Sequence, residues 1–157
     1  MDETQMMHGM DWAGQNPTGW FITEKLDGAR AFWDGARLWT RSGRQIPNSF
    51  GLPDGIALDG EIWAGRGQSW KSKAARFIAF DCPSAPGDWP QRIAAARSTG
   101  VPTVETCPCA GLDNLQAAFR TITAIGGEGL MLRRPRDGGY RPGRTATLLK
   151  VKHGCAP

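Results

Sequence analysis

No apolar run in this 157-residue sequence is long enough to span a bilayer, and its start, "MDETQMMHGMDWAGQNPTGW", has no basic stretch leading into an apolar one. A membrane span and a secretory signal are therefore not expected, and the cytoplasm is the expected location. Metal-binding side chains are scarce. There are two histidines and four cysteines, and the cysteines form one C-x-C but no C-x-x-C pair, so a structural zinc site is not expected. Cys82, Cys107, Cys109 and Cys155 read instead as free thiols of a reducing compartment. Internal repeats, low-complexity tracts and linkers are also lacking, which leaves a single domain over residues 1–157. Nor is charge of one sign in large excess: the net charge of +4 permits a nucleic-acid partner without arguing for one.

What is present is a series of short strand-like runs. "GWFITEKL" carries aromatic and β-branched residues up to Lys25. "ARAFWDGARLWTR" predicts a hairpin turning at Asp34-Gly35, and "GIALDGEIWAG" and "ARFIAFDC" predict two more strands, each ending on or near an acidic residue. Two stretches have helical spacing. "GDWPQRIAAARSTG" offers Asp88 as N-cap, Pro90 in the first turn and Gly100 at the stop. "LDNLQAAFRTITAIGG" places Leu115, Ala118, Phe119, Ile122 and Ile125 on one face. The strands "GLMLRR" and "ATLLKVK" follow, separated by the arginine-rich loop "PRDGGYRPGRT". The expectation is one α+β unit built mainly from antiparallel strands.

Charged residues recur at the ends of these strands: "KLDGAR" (25–30), "TRSG" (40–43), "LDGEIW" (58–63), "FIAFD" (77–81), "GGEGLMLR" (126–133) and "LLKVK" (148–152). Lys150 and Lys152 are two apart, so a strand points both to one face, where they repel unless an anion joins them. The chemistry that fits is attack by a lysine on phosphorus. Lys25 would be the nucleophile, and the nearby cations Lys150 and Lys152 would lower its proton affinity and hold phosphate oxygens. Glu61, Glu128 and Asp27 supply hard oxygen ligands for a metal bridging phosphates. Phe80 is placed to stack on a purine.

In this order, K-x-D-G-x-R, "DGE", "FD", "EGLMLR" and "LLKVK" resemble the covalent nucleotidyltransferase superfamily, and most closely the small bacterial and phage ATP-dependent DNA ligases. Their "SEKLDGVRA-WDG", "SR-G", "LDGELW-GRG" and "GEGLMLHRP" are nearly reproduced by "TEKLDGARAFWDG", "TRSG", "LDGEIWAGRG" and "GEGLMLRRP". The resemblance runs from about Trp20 to Lys152. It implies an antiparallel-sheet nucleotidyltransferase domain, ATP-grasp-like, with a few flanking helices. It implies ATP as cofactor, carried as AMP on Lys25, with magnesium (or manganese in its place), and nicked double-stranded DNA as the partner of a monomeric enzyme.

By position, the resemblance assigns Lys25, Lys150 and Lys152 to catalysis, and Glu24, Lys25, Glu61, Phe80, Lys150 and Lys152 to the nucleotide. Asp27, Glu61 and Glu128 fall to the metal. Arg30 and Arg41 are assigned to the 5′-phosphate of the nick. Apart from the resemblance, the arginine-rich stretch "RRPRDGGYRPGR", with Arg133, Arg141 and Arg144, is expected either to contact the DNA backbone or to be a plain solvated loop. The implied reaction runs from lysyl-AMP to DNA-adenylate to a sealed strand. In such ligases an OB-fold follows the "KVK" strand, bringing a late R-x-D-K motif. Here only "HGCAP" follows, so the OB-fold is expected to be absent or supplied by a separate partner. The same lysine chemistry would serve an RNA ligase or a capping-type enzyme, and a nick-binding module with weak turnover is the reading from another class.

Overall fold

Runs rich in β-branched and aromatic residues, cut off by Gly, Pro or Asp, fold into ten strands, and only two stretches form an α-helix. The computed structural model describes all 157 residues. After a 3-10 turn at Glu3–Gln5, the strands are β1 (Met7–Asp11), β2 (Phe21–Glu24), β3 (Ala29–Trp33), β4 (Leu38–Thr40), β5 (Gln45–Ile46), β6 (Leu58–Trp63) and β7 (Arg76–Asp81). Helix α1 (Trp89–Ser98), β8 (Cys107–Pro108), α2 (Leu112–Ala124), β9 (Gly129–Arg133) and β10 (Gly143–Lys152) complete the chain. One sheet has the order β5-β4-β3-β6-β7 and comes from one continuous stretch. The other, β1-β10-β9-β2-β8, gathers strands from both ends of the sequence.

Each sheet has its own core. Trp33, Leu58, Phe77, Trp89 and Ile93 belong to a 14-residue cluster joining the first sheet to α1. Ile22, Leu115, Phe119, Leu130, Leu132 and Val151 belong to an 8-residue cluster joining the second sheet to α2. The period-two alternation of a strand then turns the remaining side chains of both sheets toward a cleft between them.

The α+β expectation holds, with three differences of detail. The hairpin turns at Gly35-Ala36, one residue later than expected. Asp34 N–H donates to Arg37 O, and the Asp34 carboxylate accepts from the N–H groups of Ala36 and Arg37, so Asp34 braces the turn while Gly35 takes its positive φ of 100°. Asp88 occupies the N-cap of α1 but makes no capping bond; its carboxylate accepts from Gly138 N–H at 2.8 Å. Finally, β1 was not legible in the sequence. It pairs in parallel with β10, an exception in a mainly antiparallel fold. All four cysteines are free, as expected.

Candidate active site

The strand ends come together in a cleft of about 940 Å³, lined from one sheet by Lys25, Glu128, Met131, Arg133, Lys150 and Lys152 and from the other by Arg30, Asp59, Glu61 and Phe80. Lys25 sits one residue beyond β2, where its N–H donates to Gly129 O at 2.9 Å. That anchor depends on Gly129, since a Cβ there would lie 2.2 Å from Val151 O. The "DG" of the lysine motif is dictated in the same way, because a Cβ on Gly28 would lie 2.0 Å from Ile62 O. Both glycines let strands approach where no side chain fits.

The Lys25 ammonium is in salt-bridge contact with the Glu128 carboxylate. The expectation was cations as its controlling neighbours; the group actually touching it is an acid. The repulsion expected between Lys150 and Lys152 is relieved in part by the protein itself, because Asp11 on β1 lies 3.4 Å from the Lys150 ammonium. Lys150 and Lys152 do share the cleft with Lys25, as their two-residue spacing requires.

Glu61 is an acid of the cleft with a strongly raised carboxyl. Burial raises its carboxyl to about 7, against the opposing pull of the Arg30 and Lys25 charges. A carboxyl in that condition fits a cation or a hydroxyl ligand. Glu128, part-exposed on the same cleft, is the second carboxylate that fits a cation. Asp27 does not fit. Its two oxygens accept from Trp63 Nε1 at 2.7 Å and Gly67 N–H at 3.1 Å, holding the 63–67 loop. No three acidic, histidine or cysteine side chains gather as a metal site, although Asp27, Glu61 and Glu128 all line the cleft.

A carboxyl raised in the folded state favours folding while it is protonated. That contribution is complete below about 4.5 and is lost as pH rises to about 7. Glu61→Gln should therefore be more stable than the parent at pH 8, by ~1–3 kcal/mol, and the gap should close toward pH 4.5. Thermal unfolding of both proteins across that range checks it. Equal stability at pH 8 would mean that Glu61 titrates normally.

The arginines divide. Arg41 is exposed at the rim, where it pairs with Glu3 at 2.8 Å, and Arg144 is exposed on the cleft edge. Arg141 is exposed but does not line the cleft. Arg30 is turned inward. Its guanidinium forks onto Asp59 at 2.7 and 2.6 Å and also donates to Met7 O. Burial opposes the Arg30 charge, and Asp59 outweighs that and holds its pKa above the usual range. Arg133, expected on the DNA backbone, is 5% exposed, and its guanidinium lies 5.3 Å from the Phe80 ring and 4.9 Å from Trp89. A residue so enclosed cannot reach a duplex outside the cleft. Glu24, assigned to the nucleotide, lines the cleft but its carboxylate is held by Arg66 at 2.8 and 2.9 Å.

No family model matches the sequence. A DNA ligase of Haemophilus influenzae is 28% identical over 158 residues, 85% of this chain and 58% of that protein. The structure of a Lig E DNA ligase superposes with a TM-score of 0.81 at 28% identity, over 94% of this chain and 68% of that one. This chain has the adenylation-domain fold of the ATP-dependent DNA ligases. The Chlorella virus DNA ligase-adenylate shares the fold at a TM-score of 0.75 and 21% identity, over 95% of this chain and 69% of that one. The chain thus spans under two thirds of the length of the Haemophilus ligase. No helix is long and apolar enough to cross a membrane.

Within this adenylation fold, sequence reasoning missed three sets of residues that build the site. Asp59 is 1% exposed and accepts both from Arg30 and from the Tyr140 hydroxyl at 2.6 Å. Burial and the Asp59 charge together push the Tyr140 hydroxyl well above its usual range, so it stays a donor. Arg92, fully buried on α1, forks between Asp81 and Asp137. Asp11 on β1 is the third. Asp59 and Asp81 did stand out as acids at or near strand ends; nothing local marked their partners, which are far away in sequence.

Proposed function

We propose that this chain is the adenylyltransferase core of an ATP-dependent DNA ligase. The observation that carries this reading is one cleft gathering Lys25, Lys150 and Lys152 with Glu61, Glu128 and Phe80, from strands scattered over the whole sequence. Lys25 Nζ attacks the α-phosphorus of ATP, a phosphoramidate bond forms and pyrophosphate leaves. The amine must first lose a proton, and the Glu128 carboxylate in contact with it is placed to accept that proton. Lys150 and Lys152 offset charge on the phosphate oxygens as it builds. Phe80, with the Arg30 and Arg133 guanidinium groups 4.9 and 5.3 Å from its ring, is the aromatic residue proposed for the adenine. AMP then passes to the 5′-phosphate at a nick, and the 3′-hydroxyl displaces it to seal the strand.

Magnesium would be held by Glu61 and Glu128 and, when bound, would neutralise phosphate charge. The exposed Arg41 and Arg144 are the residues proposed for the nicked DNA, gripping phosphate by the planar fork of arginine. The DNA-wrapping barrel expected of such ligases would come from further chain or from a separate partner.

The test is the intact mass of the purified chain after ATP and magnesium, followed by nicked DNA. The expected result is a gain of one AMP, removed on adding the nick. Sealed product would make the chain sufficient by itself, and an unsealed DNA-adenylate would make it a core that needs its barrel. No gain from ATP, together with no sealing of a pre-adenylated nick, would overturn the reading.

A further inference from the structure

The floor of the cleft holds a buried cation with almost no counterpart. Arg133 is 5% exposed, yet its guanidinium makes a single hydrogen bond, from Nε to Thr23 Oγ1 at 3.4 Å. No fully enclosed side-chain nitrogen or oxygen lacks a partner, so the two Nη groups, which have no acceptor in the protein, open onto the cleft that Arg133 lines. Arg92 shows what a completed buried arginine looks like here: its five N–H donors make five bonds, to Asp81, Asp137 and Gly87 O. Burial pushes Arg133 down to about 10, only partly opposed by Asp81 and Asp59. A guanidinium in that state is short of an acceptor.

Its position says which acceptor. Arg133 follows Met131 by two residues on β9, so both project from the same face of the strand. The guanidinium lies 5.3 Å from the Phe80 ring; that of Arg30 lies 4.9 Å from it but is already bonded to Asp59 and Met7 O. The lysines are further along the sheet, since Leu148 is opposite Arg133 while Lys150 is opposite Met131 and Lys152 opposite Gly129. Phosphate therefore belongs at the Lys25, Lys150 and Lys152 end, and the base at the Phe80 end. We propose that Arg133 is a specificity-determining residue that reads the edge of the purine held against Phe80, donating an Nη–H to a ring nitrogen. This rests on the nucleotide reading of the cleft. Arginine is donor-only, so it can meet adenine N1, N3 or N7 and cannot meet the N6 amino group.

The experiment is calorimetric binding of AMP and of its 1-deaza, 3-deaza and 7-deaza analogues to the whole chain and to Arg133→Lys and Arg133→Met. The expected result is that the parent binds one analogue roughly tenfold more weakly than AMP and the other two nearly as AMP. In Arg133→Met, AMP itself weakens by about the same factor and that analogue is no longer penalised, with Arg133→Lys between. A parent that binds all three analogues like AMP would overturn the inference, and so would an Arg133→Met protein that weakens all four ligands equally. If Arg133→Met does not fold, the parent series and Arg133→Lys decide. The deaza signature without any transfer of AMP to Lys25 would uphold this inference and refute the adenylyl-transfer reading. Transfer of AMP without the signature would do the reverse, and a parent that binds no adenine nucleotide refutes both.

Discussion

Lys25→Ala should take up no AMP from ATP and magnesium, while it should bind nicked DNA within about threefold of the parent and match the parent on a nick that already carries AMP. The loss is complete because alanine has no nitrogen with which to form the phosphoramidate, and neither Lys150 nor Lys152 stands where Lys25 does: each belongs to β10, whereas Lys25 is fixed by its N–H to Gly129 O. The fold should hardly notice. The Lys25 side chain is 21% exposed and that of Glu128 39%, so the freed carboxylate is partly hydrated and the lost pair is worth ~0–1 kcal/mol. Intact mass, a binding titration, sealing of the pre-adenylated nick and thermal unfolding check the four parts. AMP still bound covalently to the variant would place the nucleophile elsewhere. Loss of DNA binding in step with labelling would mean that Lys25 supports the cleft instead of reacting in it.

Arg92→Met should be the most damaging single change to stability, lowering it by ~3–5 kcal/mol because two buried carboxylates lose their shared counter-charge. Asp81 and Asp137 lie on β7 and in the loop before β10, and one guanidinium on α1 serves both. Burial already pushes the Asp81 carboxyl up. At Asp137 burial pushes the same way, but the Arg92 and Gly139 hydrogen bonds win and hold it below the usual range. Removing Arg92 strands both. In a chain of this size the fall in Tm would be of order 10 °C or more. Adding Asp81→Asn and Asp137→Asn to Arg92→Met should recover part of that loss, since neutral amides cost less to bury than unpaired charges. A single variant within about 1 kcal/mol of the parent, or a triple variant less stable than the single one, would assign the network to packing alone.

These two expectations differ in how visible they were beforehand. Lys25, Glu61, Phe80, Glu128, Lys150 and Lys152 were legible because each sits at or near the end of a short strand with a recognisable pattern, and strand period fixes its side. The helices were legible from Pro90, Gly100 and the spacing of Leu115, Phe119 and Ile122. Arg92 was not, since on α1 it reads as one more solvated arginine, and only the fold brings Asp137 to it across 45 residues. The depth of Arg30 and Arg133 was illegible for the same reason: charge in sequence carries no depth, and both turn inward toward carboxylates and rings. The bracing of the 63–67 loop by Asp27 was not legible either, because a motif position does not say which oxygens are already occupied. The "MHGMD" run of β1 has weak strand composition; it extends because β10 offers it an edge.

That pairing of β1 with β10 also has a consequence for how the chain matures on the ribosome. All five strands of the β5-β4-β3-β6-β7 sheet lie within residues 29–81, so their contacts are local and can form while synthesis is still under way. The other sheet cannot close until residues 129–152 have emerged, because β1 and β2 have no long partners before β9 and β10 exist. Phe80 and Glu61 therefore stand on a surface made early, and the lysines face them only at the last step. A nascent chain would hold half a cleft, unable to trap ATP, until residues 129–152 were out.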